Sequence, residues 1–344
     1  TRARSTTVGV AARRRRRAGR GLTMLNWLLD RSVVFNFDRT GFERHAKDFL
    51  ASDLEVDLRE RTVLVTGANS GLGFEACRGL GALGARVILL CRDAARGRAA
   101  RERLRALQPD GRFEVELLDV SRVRDVERYI SERAPDVVDV LINNAGVLPG
   151  ERQETDEGVE LCFATNVLGP FALTRGLLTR LRASDDPRVV HVSSGGMYPV
   201  ALDLADWQWQ RRDYDGTRAY ALTKRAEVVL NELWAEREPW LTSSAMHPGW
   251  ADTPAVKSSL PRFHRVTRRI LRSPAQGADT IVWLAACARL RGDSGHFWFD
   301  RQRAPTHVLS ATQRGDRQGR VLWQLCESLS DATPAAGALH FAAT

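Results

Sequence analysis

A tyrosine and a lysine four residues apart are the pair in this sequence most able to do chemistry. Tyr220 and Lys224 stand in the run Tyr-Ala-Leu-Thr-Lys, and at this spacing on a helix the two side chains share one face. A free tyrosine has a pKa of about 10, and a neighbouring ammonium favours the phenolate and lowers that value. The spacing therefore predicts a general acid and base at Tyr220; the alternative is an exposed helix face without function.

A glycine-rich turn indicates a bound nucleotide. Gly67, Gly71 and Gly73 fall between a predicted strand and a predicted helix, where glycines let the backbone turn tightly and approach a pyrophosphate at the helix N-terminus. The spacing is GxxxGxG, and by itself such a turn also occurs without a nucleotide. The residues of this turn predicted to bind the cofactor are Gly67, Asn69, Ser70, Gly71, Leu72 and Gly73.

The end of the second predicted strand bears on which dinucleotide is bound. An acidic residue there would bind a ribose 2′-hydroxyl, whereas an arginine would accept a 2′-phosphate. The strand ends in Leu90-Cys91-Arg92, and the next acid is Asp93. Arg92 therefore favours NADP(H), with a solvated arginine in an arginine-rich chain as the alternative.

Three further strand ends carry small or polar residues suited to a ligand cleft. Asn143-Asn144-Ala145-Gly146 follows the fourth strand and predicts cofactor contacts at Asn143, Ala145 and Gly146, although asparagine and glycine also favour ordinary turns. Ser193-Ser194 ends the fifth strand, where a hydroxyl could bind a substrate oxygen that gains negative charge. The segment from His247 to Thr253 forms a rigid turn placed to contact a nicotinamide, through Pro248, Gly249 and Thr253.

These residues sit on short apolar runs that alternate with helical stretches from Arg61 onward. That alternation predicts an α/β, Rossmann-type doubly wound fold, with a seven-stranded parallel sheet and helices on both faces. The helical segments include Leu72–Leu83, Arg122–Arg133, Gly158–Leu181 and Tyr220–Arg237. The predicted strands are Thr62–Thr66, Arg86–Cys91, Phe113–Asp119, Val138–Ile142, Arg188–Ser193, Leu241–Met246 and His296–Phe299. Residues 60–305 form the predicted cofactor-binding domain, and residues 306–344 a C-terminal extension.

Charge and composition exclude several other classes of protein. The 344 residues carry a net charge of +9, but eight arginines in residues 1–23 leave only +1 for the rest, so nucleic-acid binding is not expected. Five cysteines without a CxxC pair, and seven histidines without metal-ligand spacing, predict a reducing compartment and no metal site. No apolar stretch approaches the length of a membrane-spanning helix. The expected location is the cytoplasm.

Two N-terminal segments lie outside the predicted domain. Residues 1–23 are arginine-rich and without acids, which predicts a disordered basic tail. This tail resembles a mitochondrial presequence; the favoured alternative is upstream sequence before a natural start at Met24. Residues 24–59 predict an amphipathic arm packed on the domain, with contact to a membrane surface as the alternative.

Taken together, TGANSGLG, NNAG, Ser194, YALTK and HPGWADT resemble the short-chain dehydrogenase/reductase family in type and order over residues 60–300. The resemblance implies a catalytic tetrad of Asn166, Ser194, Tyr220 and Lys224, with Ser194 favoured over Ser193. It also implies that Asp119 and Val120 flank the adenine, and that Lys224 binds the nicotinamide ribose. A homo-oligomer built on the helices around Gly158–Leu181 and Tyr220–Arg237 is a further expectation. The 26-residue gap from Ser194 to Tyr220 is longer than in many members, but the retinol-dehydrogenase-like group tolerates it.

The sequence thus predicts an oxidoreductase that transfers a hydride between NADP(H) and a carbonyl/alcohol pair. Apolar and aromatic residues in the long insert before Tyr220 and in the stretch after Thr253 favour a lipophilic aldehyde or ketone. In the insert these are Met197, Tyr198, Trp207 and Trp209, although its tryptophans could equally fasten it to the domain. The arginines after Thr253 could rest on an anionic membrane. The rival hypothesis is a catalytically weak NADP(H)-binding protein that acts through partner interactions.

Overall fold

The computed structural model describes residues 33–313 and 316–331, in which one eight-stranded sheet forms the centre. Seven strands are parallel in the order β3-β2-β1-β4-β5-β6-β7, and β8 adds an antiparallel edge. The strands are β1 (Thr62–Thr66), β2 (Arg86–Cys91), β3 (Arg112–Leu117), β4 (Val140–Asn143), β5 (Arg188–Val192), β6 (Thr242–Met246), β7 (His296–Phe299) and β8 (Gln302–Arg303). The predicted fold class is confirmed, with one strand more than expected.

The extra strand β8 arises from a two-residue hairpin that the sequence does not announce. Asp300 and Arg301 both adopt positive φ angles, 46° and 58°, which is the geometry of a hairpin turn usually occupied by asparagine or glycine. Asp300 is held there by its buried carboxylate, which pairs with Arg272 and with His45. Aspartate is favoured at the first position of such a turn, but arginine is not favoured at the second, so tertiary contacts help to fix it.

Helices cover both faces of the sheet because its central strands are apolar throughout. Val63, Leu64 and Val65 of β1 are completely buried, as expected of a parallel strand with both faces covered. The helices are α1 (Val33–Phe37), α2 (Arg39–His45), α3 (Gly71–Ala82), α4 (Ala94–Leu107), α5 (Val123–Glu132), α6 (Leu161–Phe163), α7 (Gly169–Gly176), α8 (Leu178–Arg182), α9 (Gly216–Arg237), α10 (Pro254–Ser259), α11 (Pro261–Thr267), α12 (Pro274–Ala286) and α13 (Asp316–Asp331). Within this part of the chain, no helix is long and apolar enough to cross a membrane.

The helical stretch predicted over Gly158–Leu181 begins at Leu161 and is not a uniform α-helix. It contains α6, a π-helical segment over Ala164–Leu168, α7 and α8. Single π-helical turns occur often at functional sites, and Asn166 lies inside this one. The π-helical segment thus holds the buried side chain of Asn166.

The C-terminal helix α13 packs on the helices assigned above to a homo-oligomer contact. The Trp323 ring lies 5.0 Å from Phe171 of α7 and 4.6 Å from Trp234 of α9, centroid to centroid. Arg237 stacks over the same indole at 4.2 Å. The chain itself therefore occupies part of the surface that the resemblance assigns to a second subunit.

Candidate active site

The glycine turn lies where the strand order reverses, between β1 and β4. In an open parallel sheet the carboxyl ends of the strands form a ligand crevice at this point. Gly67 and Gly71 have φ angles of +64° and +57°, which glycine adopts without strain. In the described part of the chain, the Ser70 side chain makes no capping hydrogen bond to α3. The first amides of that helix at the crevice are therefore not bonded to the Ser70 hydroxyl. This arrangement fits a pyrophosphate group.

Gly73 explains why the turn and α3 approach each other so closely. A Cβ atom at this position would lie 2.6 Å from the Gly67 carbonyl oxygen and 2.5 Å from the Asn144 side-chain nitrogen. Asn144 in turn donates to the Thr66 carbonyl at 2.8 Å, and the Thr66 hydroxyl accepts from the Asn144 and Ala145 amides at 2.9 Å each. Thr66 and Asn144 support the turn and were missed as site residues, although both stand in the quoted motifs.

Arg92 is exposed just after β2, as expected, and a second arginine accompanies it. Asp93 caps α4 by accepting from the Arg96 amide, so its carboxylate is used by the helix. With the Asn69 amide oxygen facing Arg96, the Arg96 guanidinium donates to it twice at 3.2 Å. Arg96 therefore lies beside the glycine turn, a position that was missed because it falls one helical turn beyond the strand.

Two predicted cofactor contacts on the neighbouring strands have different surroundings. Asp119 is partly exposed after β3 and accepts from the Ser121 amide and hydroxyl, while Val120 is buried. The Asn143 side chain is buried and donates to the Thr174 hydroxyl at 3.1 Å. The amide is used inside the protein because the side chain points to α7; only the Asn143 backbone remains for a cofactor.

The tyrosine, the lysine and the serine meet at the carboxyl ends of β4 and β5. Lys224 Nζ lies 5.5 Å from the centre of the Tyr220 ring and donates to the Val192 carbonyl at 2.9 Å. Ser194 stands close enough to Tyr220 to lower the pKa of its phenol. The Ser193 hydroxyl is buried and donates to the Lys224 carbonyl at 2.7 Å, so it anchors α9, and Ser194 is the serine near the phenol.

Asn166 is fully buried next to Tyr220, Lys224 and Ser194, and both the oxygen and the nitrogen of its amide form hydrogen bonds. Its oxygen accepts from the Val147 amide at 2.8 Å, and its nitrogen donates to the Val147 carbonyl and to the Thr223 hydroxyl. A Cβ on Gly146 would lie 3.4 Å from Asn166 Oδ1 and 3.3 Å from Lys224 Nζ. Gly146 therefore separates the two polar side chains at close range.

The electrostatics of Tyr220 differ from the expectation of a lowered pKa. Burial raises the pKa of Tyr220 and outweighs Lys224, which lowers it; the nearby Glu227 carboxylate also raises it. Glu227 forms an ion pair with Lys224 at 2.7 Å and was not identified from the sequence. An acidic residue three positions after the lysine was the available signal, because that spacing also shares a helix face.

The segment after β6 is held in place by a buried arginine and by the N-terminal arm. Gly249 has a φ of +68°, and a Cβ there would lie 2.5 Å from the Arg272 guanidinium and 2.7 Å from the Phe37 carbonyl oxygen. Arg272 is buried and pairs with Asp300. Thr253 lies against Gly71 and caps α10 through its hydroxyl, which accepts from the Val256 amide.

Aromatic rings from four separate segments pack together beside Ser194. Phe37 from the arm lies 4.6 Å from His247, 5.3 Å from Phe299 and 6.3 Å from Trp250, centroid to centroid. A Cβ on Gly195 would lie 2.7 Å from the Phe37 ring. We name this group, Phe37, Tyr198, His247, Trp250 and Phe299, the aromatic wall. The arm was predicted to pack on the domain, but its place beside the catalytic candidates was not.

The tryptophans of the long insert pack against the domain and line a small cavity together with Phe163 and Leu222. Trp207 packs against Phe163 at 4.6 Å, and Trp209 is buried against Tyr214 at 5.3 Å. Met197 is completely buried. This packing supports the alternative that the tryptophans fasten the insert to the domain, and it places Met197 in the core.

Comparisons with known proteins agree with this geometry. The profile of the family described as short chain dehydrogenase matches residues 61–203. Dehydrogenase/reductase SDR family member 12 from Homo sapiens is 41% identical over 292 residues, covering 83% of this chain and 92% of the relative. Retinol dehydrogenase 12 from Mus musculus is 33% identical and covers 80% and 88%. An uncharacterised protein from Mycobacterium paratuberculosis shares the fold with a TM-score of 0.65 at 30% identity, covering 81% of this chain and 96% of that structure. The predicted resemblance is confirmed, and the chain belongs to the short-chain dehydrogenase/reductase family of oxidoreductases.

Proposed function

We propose that this oxidoreductase transfers a hydride between NADP(H) and a carbonyl/alcohol pair, and that its substrate is a lipophilic aldehyde or ketone. The observation that carries the proposal is the meeting of Tyr220, Ser194 and Lys224 at the same edge of the sheet as the glycine turn. A proton donor, an oxygen-binding hydroxyl and a dinucleotide cradle are the parts that carbonyl reduction requires.

Each side chain has a defined task in this mechanism. When bound, NADP(H) supplies or accepts the hydride. The Tyr220 hydroxyl donates its proton to the substrate oxygen during reduction and accepts it during oxidation. Ser194 donates a hydrogen bond to the same oxygen as negative charge develops. Lys224 holds the nicotinamide ribose and favours the phenolate, and Asn166 keeps the backbone at Val147 and the α9 residue Thr223 in register.

The preference for NADP(H) over NAD(H) rests on positive charge at the adenosine side. Arg92 is exposed at the end of β2, and Arg96 contacts Asn69 of the glycine turn. The nearest acid, Asp93, is engaged as the cap of α4. Two guanidinium groups without a competing free carboxylate fit a 2′-phosphate.

A lipophilic substrate is supported by apolar residues after Thr253 and by the likeness to retinol dehydrogenase 12. Phe263 of α11 packs on Trp250 of the aromatic wall at 5.2 Å, and Val256 and Leu260 are partly exposed nearby in the chain. Val266 is 84% exposed and is flanked by the exposed Arg262, Arg265, Arg268 and Arg269. We propose that this surface contacts anionic membranes, from which an apolar substrate could enter.

Tyr220→Phe tests the proposed chemistry directly. It removes the proton donor and keeps the ring, so we expect turnover of a carbonyl substrate with NADPH to fall on the order of a hundredfold or more. NADPH affinity, followed by fluorescence titration, should be unchanged. Near-normal turnover by Tyr220→Phe would refute the mechanism, and binding without turnover in the parent protein would favour the partner-binding alternative.

A chain-length series of aldehydes tests the substrate class. With an apolar pocket, kcat/KM rises as methylenes are added, by up to about fourfold for each one that becomes fully buried. Flat or falling efficiency would reject a lipophilic substrate and leave the proposed hydride transfer intact.

A further inference from the structure

A buried acid stands directly behind the candidate catalytic lysine. Glu227 Oε1 lies 2.7 Å from Lys224 Nζ, and the two side chains are only 4% and 3% exposed. The ammonium donates its second hydrogen bond to the Val192 carbonyl at 2.9 Å. Two of its three protons are therefore held at the end of β5 and on α9, which leaves one for the crevice.

Burying this ion pair in the core costs free energy, because both charged groups lose their contact with water. Taking a carboxylate out of water is costly unless its oxygens are satisfied. The second oxygen, Glu227 Oε2, is buried and has no hydrogen-bond partner among residues 33–313 and 316–331. An amide or an apolar side chain would fill the same space at lower cost, so the charge itself requires an explanation.

We propose that Glu227 is a positioning residue of the active site, which fixes the Lys224 ammonium by an ion pair and offsets its charge at the Tyr220 hydroxyl. The proposal rests on the proposed function of Tyr220 and Lys224 and adds a third ionisable group to them. Because Glu227 acts through Lys224, it touches neither substrate nor cofactor.

The charges around the pair agree in direction with this role. Burial raises the pKa of Glu227 to about 7, although Lys224 draws it down. Burial alone would lower the pKa of Lys224, but Glu227 and Tyr220 raise it above its ordinary value. For Tyr220, burial and Glu227 raise the pKa while Lys224 lowers it. The Glu227 carboxylate therefore raises the pKa of both Lys224 and Tyr220 and favours their protonated forms.

The titratable groups that face the pair from α6 and β5 are neutral at ordinary pH, and the guanidinium of Arg225, next to Lys224 on α9, donates to the Val200 and Met197 carbonyls. Cys162 of α6 faces the pair, and burial raises the pKa of its thiol to about 12. His191 of β5 faces Lys224, and burial lowers the pKa of its imidazole to about 3. Neither pKa lies between 5 and 9, so within this cluster a change of charge in that range is attributed to Glu227, and Lys224 and Tyr220 lose their protons at higher pH.

The test is a titration of Tyr220 that needs no turnover. The chain has four tyrosines, so ring-labelled protein gives four ¹³C signals, and Tyr220→Phe assigns one of them. Glu227→Gln keeps the shape and removes the charge. We expect the first proton of the Tyr220–Lys224 pair to leave about one pH unit lower than in the parent protein. The low-pH limb of alcohol oxidation with NADP⁺ should move in the same direction.

Matched variants separate charge from structure. Glu236→Gln removes an exposed carboxylate from the same helix and should leave the Tyr220 titration where it is. Glu227→Asp retains the charge at a greater distance and should give a midpoint between those of the parent and Glu227→Gln; it carries the test where Glu227→Gln does not fold. An unchanged Tyr220 midpoint in both Glu227 variants would overturn the proposal. A shifted midpoint in protein that turns over no carbonyl would instead refute the proposed function alone.

Discussion

The two sides of the crevice are built in different ways. On the side proposed for the cofactor, a cradle formed by residues 66–73 and 143–146 relies on backbone groups, on the positive φ angles of Gly67 and Gly71, and on the lack of space for a Cβ at Gly73. On the side proposed for the substrate, the aromatic wall relies on ring packing between segments far apart in the chain. The cradle therefore tolerates almost no change of residue, whereas the wall tolerates changes that keep its volume. Cofactor binding should respond to single atoms, and substrate selection to the size and shape of side chains.

Gly73→Ala is the sharpest test of the cradle. The added methyl would lie 2.6 Å from the Gly67 carbonyl oxygen, so the turn must move before the methyl fits. We expect NADPH affinity to fall about a hundredfold, which corresponds to about 3 kcal/mol at the upper end of the cost of overpacking. Fluorescence titration with NADPH measures the loss.

Gly79→Ala is the matched control on the same helix. Its methyl would lie 2.7 Å from the Val282 side chain, away from the turn. Gly79→Ala should lower the free energy of unfolding by about 1–3 kcal/mol, the usual cost of overpacking, and leave NADPH affinity unchanged. Equal affinity losses in the two variants would show that the cradle is no more demanding than any other helix contact.

The same contrast explains what the sequence could predict. Gly67, Gly71 and Gly73 allow the cradle to be predicted from the sequence, because their conformation and packing depend on one strand and the helix that follows it. The pairing of Tyr220 with Lys224 can also be predicted from the sequence, because their spacing of four residues on a helix places both side chains on one face. These features also indicated the family and a doubly wound parallel sheet.

What the sequence could not predict depends on contacts between distant segments. Phe37 reaches Gly195 and His247 only because the arm folds over the end of the sheet. The β8 hairpin exists because Arg272 and His45 hold Asp300 in a strained turn. Asn143 turned out to face the core, because a strand end offers two faces and only the fold decides between them. Each of these requires a partner whose position no local pattern contains.

A middle-sized effect is expected at the outer end of the cradle. Arg92→Ala should weaken NADPH binding about ten- to a hundredfold, the value of a charge-assisted contact of about 1.5–3 kcal/mol, and leave NADH binding nearly unchanged. Arg96→Ala should act in the same direction because its guanidinium lies beside Asn69. Arg98→Ala, an exposed arginine on the same helix, is the control. Equal affinities of the parent protein for NADPH and NADH would contradict the assignment.

The smallest effect is expected at the aromatic wall. Phe37 is not one of the catalytic candidates, but its ring fills the space beside Gly195 and packs on His247 and Trp250. Phe37→Leu keeps an apolar side chain and removes the ring contacts, each worth about 0.5–1.5 kcal/mol. We expect KM for a carbonyl substrate to rise about fivefold, equivalent to about 1 kcal/mol, with NADPH affinity unchanged.

The control for the wall lies in the same arm. Phe49 packs on Phe42 at 5.8 Å and under the Arg301 guanidinium at 4.4 Å, in contacts that involve no member of the wall. Phe49→Leu should therefore lower the midpoint of thermal unfolding to a similar degree without changing KM. If both variants change KM alike, the arm acts only through overall stability. If Phe37→Leu alone does so, an N-terminal segment outside the cofactor-binding domain shapes the substrate side, because its ring borders the loop that carries Ser194.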